Sequence, residues 1–150
     1  MVMLVHLSPE RAVRGIRRSG IRVSFGRNGT PNGVYAMPVM PNFFLTHQWL
    51  RELKSNGDRS IVGVYFRLAG DEPVFIGHYN RTPARTTASL AVKLLRECEN
   101  ALGYELIVPR KIFSREIHKV RTLPQVVGWR YYPEVRETEF CGCPMCVPAG

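Results

Sequence analysis

A chain of 150 residues is long enough for one domain with its own core, and 45% hydrophobic against 22% charged residues is a globular balance, neither disordered nor fibrous. No run reaches the roughly 18 apolar residues of a membrane span, and apolar Met1 to Val5 is too short, and lacks the basic leader, for a signal peptide; a cytoplasmic protein is expected. The net charge of +9 points to a polyanionic partner, DNA or RNA first, and says nothing about fold.

The apolar start reads as a first strand ending near His6. Ser8-Pro9-Glu10 is a helix start: Ser8 can cap, Pro9 suits the first helical position and Glu10 favours the positive end of the dipole. Ala12, Val13 and Ile16 form the apolar stripe of this helix, Arg11, Arg14, Arg17 and Arg18 occupy most of the rest, and Gly20 ends it. Ile21 to Phe25 is a candidate short strand, followed by a loop rich in Gly and Asn up to Gly33. Gly33 to Met37 reads as a strand closed by Pro38 and Pro41. Asn42 can cap a helix running to Lys54, with Phe44, Leu45, Trp49, Leu50 and Leu53 on one side.

Ile61 to Leu68 is rich in β-branched and aromatic residues, and Ala69 to Glu72 reads as a hairpin loop before a returning strand from Pro73 to Tyr79. Thr86 or Thr87 can cap a helix to about Glu99 that buries Leu90, Ala91, Leu94, Leu95 and Cys98. Tyr104 to Val108 is a strand carrying one acidic residue, Glu105, in an otherwise apolar run; an unpaired carboxylate there belongs at a sheet edge or in a cleft, because its burial is expensive. Ile117 to Leu123 and Gly128 to Tyr132 are further strand candidates. Short strands interspersed with about three helices predict an α+β domain over residues 1–133, on a mixed or antiparallel sheet, with a Cys-rich tail over 134–150.

His6 at a strand end, Gly33-Val34-Tyr35 at a strand start and Glu105 in Tyr-Glu-Leu-Ile-Val-Pro follow one another in an order that resembles the ADP-ribosyltransferase superfamily of the His-Tyr-Glu type. That group includes diphtheria-toxin-like enzymes, poly(ADP-ribose) polymerases and the related RNA 2′-phosphotransferases. The resemblance covers roughly residues 4–123 and implies an enzyme that binds NAD⁺ in the cleft of a split sheet. On it, His6 would hold a ribose of NAD⁺, backbone groups of Leu7 would hold the nicotinamide amide, with Ser8 beside it, and Tyr35 would stack on the nicotinamide ring. Glu105 would bind the ribose 2′-hydroxyl and stabilise the oxocarbenium-like charge as the glycosidic bond breaks. Glu116 is the rival acid. One departure stands out: the family commonly follows its His with Gly-Thr, and here the residues are Leu7-Ser8. Arg11, Arg14, Arg17 and Arg18 begin right after His6 and are the candidate nucleic-acid contacts. A toxin or defence enzyme that modifies DNA or RNA is the leading form, with a protein acceptor next. The alternatives are an RNA 2′-phosphotransferase and a non-catalytic, zinc-stabilised nucleic-acid-binding module on the same fold.

Cys141, Cys143 and Cys146 place three thiols within six residues, a knuckle-like spacing for Zn²⁺ that needs a fourth ligand. Cys98 or His78 is the candidate, with His47 and His118 as rivals; a redox pair and free thiols are the other readings.

Overall fold

The structure, a computed structural model, describes residues 1–26, 30–40, 46–50, 53, 60–78 and 81–123. Its seven strands are β1 (Val2–Pro9), β2 (Val34–Pro38), β3 (Ile61–Leu68), β4 (Pro73–His78), β5 (Ala84–Thr87), β6 (Tyr104–Val108) and β7 (Ile117–Thr122). They lie in the order β5-β4-β6-β2-β1-β3-β7, and every neighbouring pair is antiparallel. Among the described residues there are two α-helices, α1 (Val13–Ser19) and α2 (Ala88–Glu97), so the class is α+β. No described helix is long and apolar enough to cross a membrane.

The sheet is two blocks with a narrow joint. β1 pairs with β3 along all eight of its residues, whereas β1 and β2 pair only at Leu4↔Pro38 and Val5↔Met37. Beyond Val5 and Met37 the two strands part. Strand alternation gives the sheet two faces. Leu4, Ala36, Val64, Phe66, Leu68, Val74 and Leu106 share one face and are buried in one cluster with Ala88, Ala91, Val92 and Leu95 of α2. Val5, Met37, Tyr65 and Ile107 share the other. There Leu50 packs with Ile61 and Leu123, and with the partly buried Leu7 and Leu53.

Several expectations change. The first helix does not start at Ser8: β1 runs on to Pro9, Ser8 is buried in the strand with its hydroxyl donating to the Pro9 carbonyl at 3.3 Å, and a 3-10 turn at Glu10–Ala12 precedes α1. The fully formed β1–β3 ladder draws those residues into the strand. Ile21 to Phe25 makes two isolated bridges, Ile21↔Ile112 and Ser24↔Gly33, instead of a strand. Ala69 to Glu72 does not close a hairpin: β3 and β4 lie in different blocks, and this loop carries the chain across the sheet. The Thr87 cap forms, with its hydroxyl accepting from Leu90 N at 3.4 Å, but Leu90, Leu94 and Cys98 are exposed. The buried stripe of α2 is Ala88, Ala91, Val92 and Leu95, because small residues let the helix settle close to the sheet. The helix expected over 42–54 falls largely outside the described residues, with helical backbone at Thr46, Leu50 and Leu53. The strand expected over 128–132 and the tail from 134 lie outside them.

Candidate active site at the opening of the sheet

The place where β1 and β2 separate is a cavity of about 250 Å³. His6 and Leu7 come from β1, Tyr35, Ala36 and Met37 from β2, and Glu105 from β6. Trp49, Leu53 and Ser24 complete the wall. Three residues separated by 29 and 70 positions in the chain thus meet at one opening.

Strand register explains how. Tyr35 pairs with Ile107 and Gly77 with Glu105, so Tyr35, Ile107 and Glu105 project from one face. Continuing the β1–β2 register would set Leu7 against Tyr35, and that pair does not form. Instead His6 Nδ1 lies 2.8 Å from the Tyr35 carbonyl, replacing the strand's own hydrogen bond with a side-chain one. A carbonyl only accepts, so Nδ1 carries the proton. Burial holds His6 below its usual range, with the Tyr35 bond a smaller opposing effect, so the ring is neutral at pH 7 and Nε2 is left as an acceptor. Val39 N donates to the Met3 carbonyl at 3.1 Å, which fixes the alternation of β1: the backbone groups of Met3, Val5 and Leu7 point toward β2. Leu7 N–H and C=O are therefore directed into the gap.

Glu105 makes no hydrogen bond or ion pair among the described residues, and burial lifts its carboxyl to about 7. Tyr35 donates to the Pro31 carbonyl at 3.1 Å, and its hydroxyl is raised by burial and then by the charge of Glu105. Glu116, the rival acid, is held elsewhere: it and Glu72 flank Arg110 in a double pair, each with a 3.0 Å contact to Nη2. A carboxylate committed to a guanidinium is a structural partner.

The 46–50 turn closes one side through hydrogen bonds no strand pattern announces. Trp49 Nε1 donates to the Tyr104 carbonyl at 3.1 Å, Gln48 Nε2 donates to the Ala101 carbonyl at 3.1 Å, and Gln48 Oε1 accepts from Gly103 N at 2.8 Å. Trp49 and Leu53 stand out in the sequence only as an apolar stripe, and Gln48 and Ser24 not at all.

The other candidates sit apart. Ser8 does not line the cleft, and its hydroxyl turns to the Pro9 carbonyl. Arg11, Arg14, Arg17 and Arg18 are exposed on the first helical turns and none lines the cavity. Cys98 is an exposed free thiol whose Sγ lies 3.4 Å from the Leu95 carbonyl. Cys141, Cys143 and Cys146 lie outside the described residues, and among those described no group of three ligating side chains could hold a metal. Of the other fourth-ligand candidates, His47 is buried with Nε2 2.8 Å from the Tyr65 hydroxyl, His78 packs edge-on against Tyr104, and His118 is exposed on β7. Comparison with protein-family models, with curated proteins and with solved structures returned no match.

Proposed function

We propose that the protein is an NAD⁺-dependent ADP-ribosyltransferase acting in the cleft between β1 and β2. The observation that carries this reading is the convergence of His6, Tyr35 and Glu105 on one cavity at the point where the sheet opens. Each group has a use there. The cavity is smaller than the roughly 300–1,000 Å³ that encloses a whole drug-sized ligand, so it suits the nicotinamide–ribose end of a dinucleotide. The Leu7 N–H and C=O match the carbonyl and amine of a carboxamide, which answers the missing glycine: the backbone supplies the contact whatever the side chain. The Tyr35 ring offers a face to a flat cation. Nε2 of His6 accepts from a ribose hydroxyl. Glu105 accepts from the 2′-hydroxyl and, once ionised, faces the positive charge that develops as the C–N glycosidic bond breaks and neutral nicotinamide leaves. With no cation paired to it among the described residues, its charge acts on the reacting sugar undiluted.

The test is release of nicotinamide from NAD⁺, wild type beside Glu105→Gln. The expected result is a loss of about a hundredfold or more, the scale on which removing one preorganised electrostatic contact acts, with the fold retained. Equal release by both proteins, or none from folded wild type with DNA, RNA or protein extract as acceptor, would overturn the reading.

A further inference from the structure

A second cavity, of about 240 Å³, opens on the same face of the sheet as Glu105. Met3, Val39 and Met40 form an apolar wall, and Tyr65, Lys119 and Arg121 form the polar side. Register places these residues. Val5 pairs with Met37 and with Tyr65, and Tyr65 pairs with Lys119. Extending the β2–β6 register by one step sets Met37 against Glu105. Glu105, Met37, Val5, Tyr65 and Lys119 therefore form one transverse row on one face. Four strand spacings separate its ends, about 19 Å.

The charge at the far end is unneutralised. Arg121 pairs with Gly63 and Arg67 with Met3, which puts both on the face that carries Lys119. None of these three cations has a carboxylate partner among the described residues, where both ion pairs belong to Arg110. The Lys119 ammonium lies 5.5 Å from the centre of the Tyr65 ring, and the Tyr65 hydroxyl is fixed by His47 at 2.8 Å. A rigid aromatic floor under paired cations, beside an apolar wall, suits a planar base whose phosphate faces water.

We infer that this cavity is the binding site for one nucleotide of a single-stranded nucleic acid, with its phosphate held by Lys119 and Arg121 and its base against Met3, Val39 and Met40. The inference rests on the transferase reading in one respect: the row leading to Glu105 makes the bound strand the acceptor, entering the cleft a few nucleotides away. It also moves the nucleic-acid contact from the arginines of α1 to the β3–β7 edge.

The experiment measures fluorescence anisotropy of labelled single-stranded DNA and RNA 12-mers at several salt concentrations without NAD⁺. The proteins are wild type, K119E/R121E, R14E/R17E and E105Q, each checked by thermal melting, with acceptor-free nicotinamide release as a separate readout. Expected are a loss of tenfold or more for K119E/R121E and a salt slope shallower by about 0.7, for the one phosphate the two cations neutralise together. R14E/R17E carries the same change in charge and is expected to lose less than threefold, and E105Q is expected to bind as wild type. K119E/R121E is expected to keep acceptor-free nicotinamide release. If it melts early, K119Q/R121Q takes its place, with the same order of affinities expected. The tighter of the DNA and RNA arms identifies the sugar. Equal losses in the two double variants, or no binding by wild type, overturn the site. Selective loss of binding with no nicotinamide release from any protein, either acceptor-free or with DNA, RNA or protein extract as acceptor, keeps the site and overturns the transferase reading.

Discussion

Glu105 has no hydrogen-bond or ion-pair partner among the described residues, and its burial ties both stability and the proposed activity to pH. Its folded-state pKa, about 7 against an ordinary 4.5, means the native protein holds a proton that the unfolded chain has released. Stability is therefore full below about pH 4.5 and falls as pH rises through 7, by up to about 3 kcal/mol. Chemical denaturation at pH 5 and pH 8 is expected to show this decline in wild type and a flatter profile in Glu105→Gln, which is expected to melt several degrees higher at pH 8. Activity runs the other way. On the transferase reading nicotinamide release needs the ionised group, so its rate is expected to rise with pH to a plateau above a midpoint near 7. His6, already neutral, adds no step in that window. A pH-independent rate between 6 and 8 would count against Glu105 as the acting carboxylate.

At the scale of elements, the cavity depends on two short supports. Gly33 precedes β2, and a Cβ there would meet the Val108 carbonyl oxygen at 2.4 Å and Ile107 Cγ2 at 2.7 Å. Gly33→Ala is expected to push β2 off β6, displacing Tyr35, with a cost of about 1–3 kcal/mol in urea unfolding and a larger loss of activity than of stability. Gln48 ties the 46–50 turn to the start of β6 through Ala101 and Gly103. Gln48→Ala takes from the buried Gly103 N–H its acceptor, while the Ala101 carbonyl keeps the Tyr104 N–H at 3.3 Å; this costs about 1–3 kcal/mol and frees the wall that holds Trp49. Steady-state kinetics are expected to show a raised KM for NAD⁺ with a smaller change in kcat. These supports were invisible in the sequence for different reasons. Gly33 read only as the start of a strand, since its close neighbour lies some 75 residues on, and Gln48 was not singled out, since its partners come from another element. Where the signal was local it held: Thr87 caps α2 as its side-chain chemistry dictates. The buried stripe of α2 was misjudged around Leu90 and Leu94, since periodicity finds a face without saying which neighbour will cover it.

Across the whole molecule, Arg110 links the crossing loop between the blocks to the end of β6. It meets Glu72 at 3.0 and 3.1 Å and Glu116 at 3.0 Å twice, and donates to the Lys111 carbonyl at 2.8 Å. Arg110→Ala leaves two carboxylates facing each other, and a loss of about 2–4 kcal/mol is expected in denaturant unfolding, more than for Glu72→Ala or Glu116→Ala alone. Similar losses for all three variants would show that the bridge acts as two independent surface pairs.

His6, Tyr35 and Glu105 were singled out together by a resemblance, whereas the α+β class and the positions of most strands and of α2 were determined by the sequence itself. Those are local properties: alternation, β-branching, a capping hydroxyl. Only the tertiary structure decided that β3 and β4 lie in separate blocks, that β1 and β2 part after Val5 and Met37, and that Glu116 is paired while Glu105 has no ion-pair partner among the described residues. The same holds for the row from Glu105 to Lys119, whose members come from five different strands. The order of strands in a sheet follows from how their faces pack against each other and against the helices, and that depends on contacts between residues far apart in the chain.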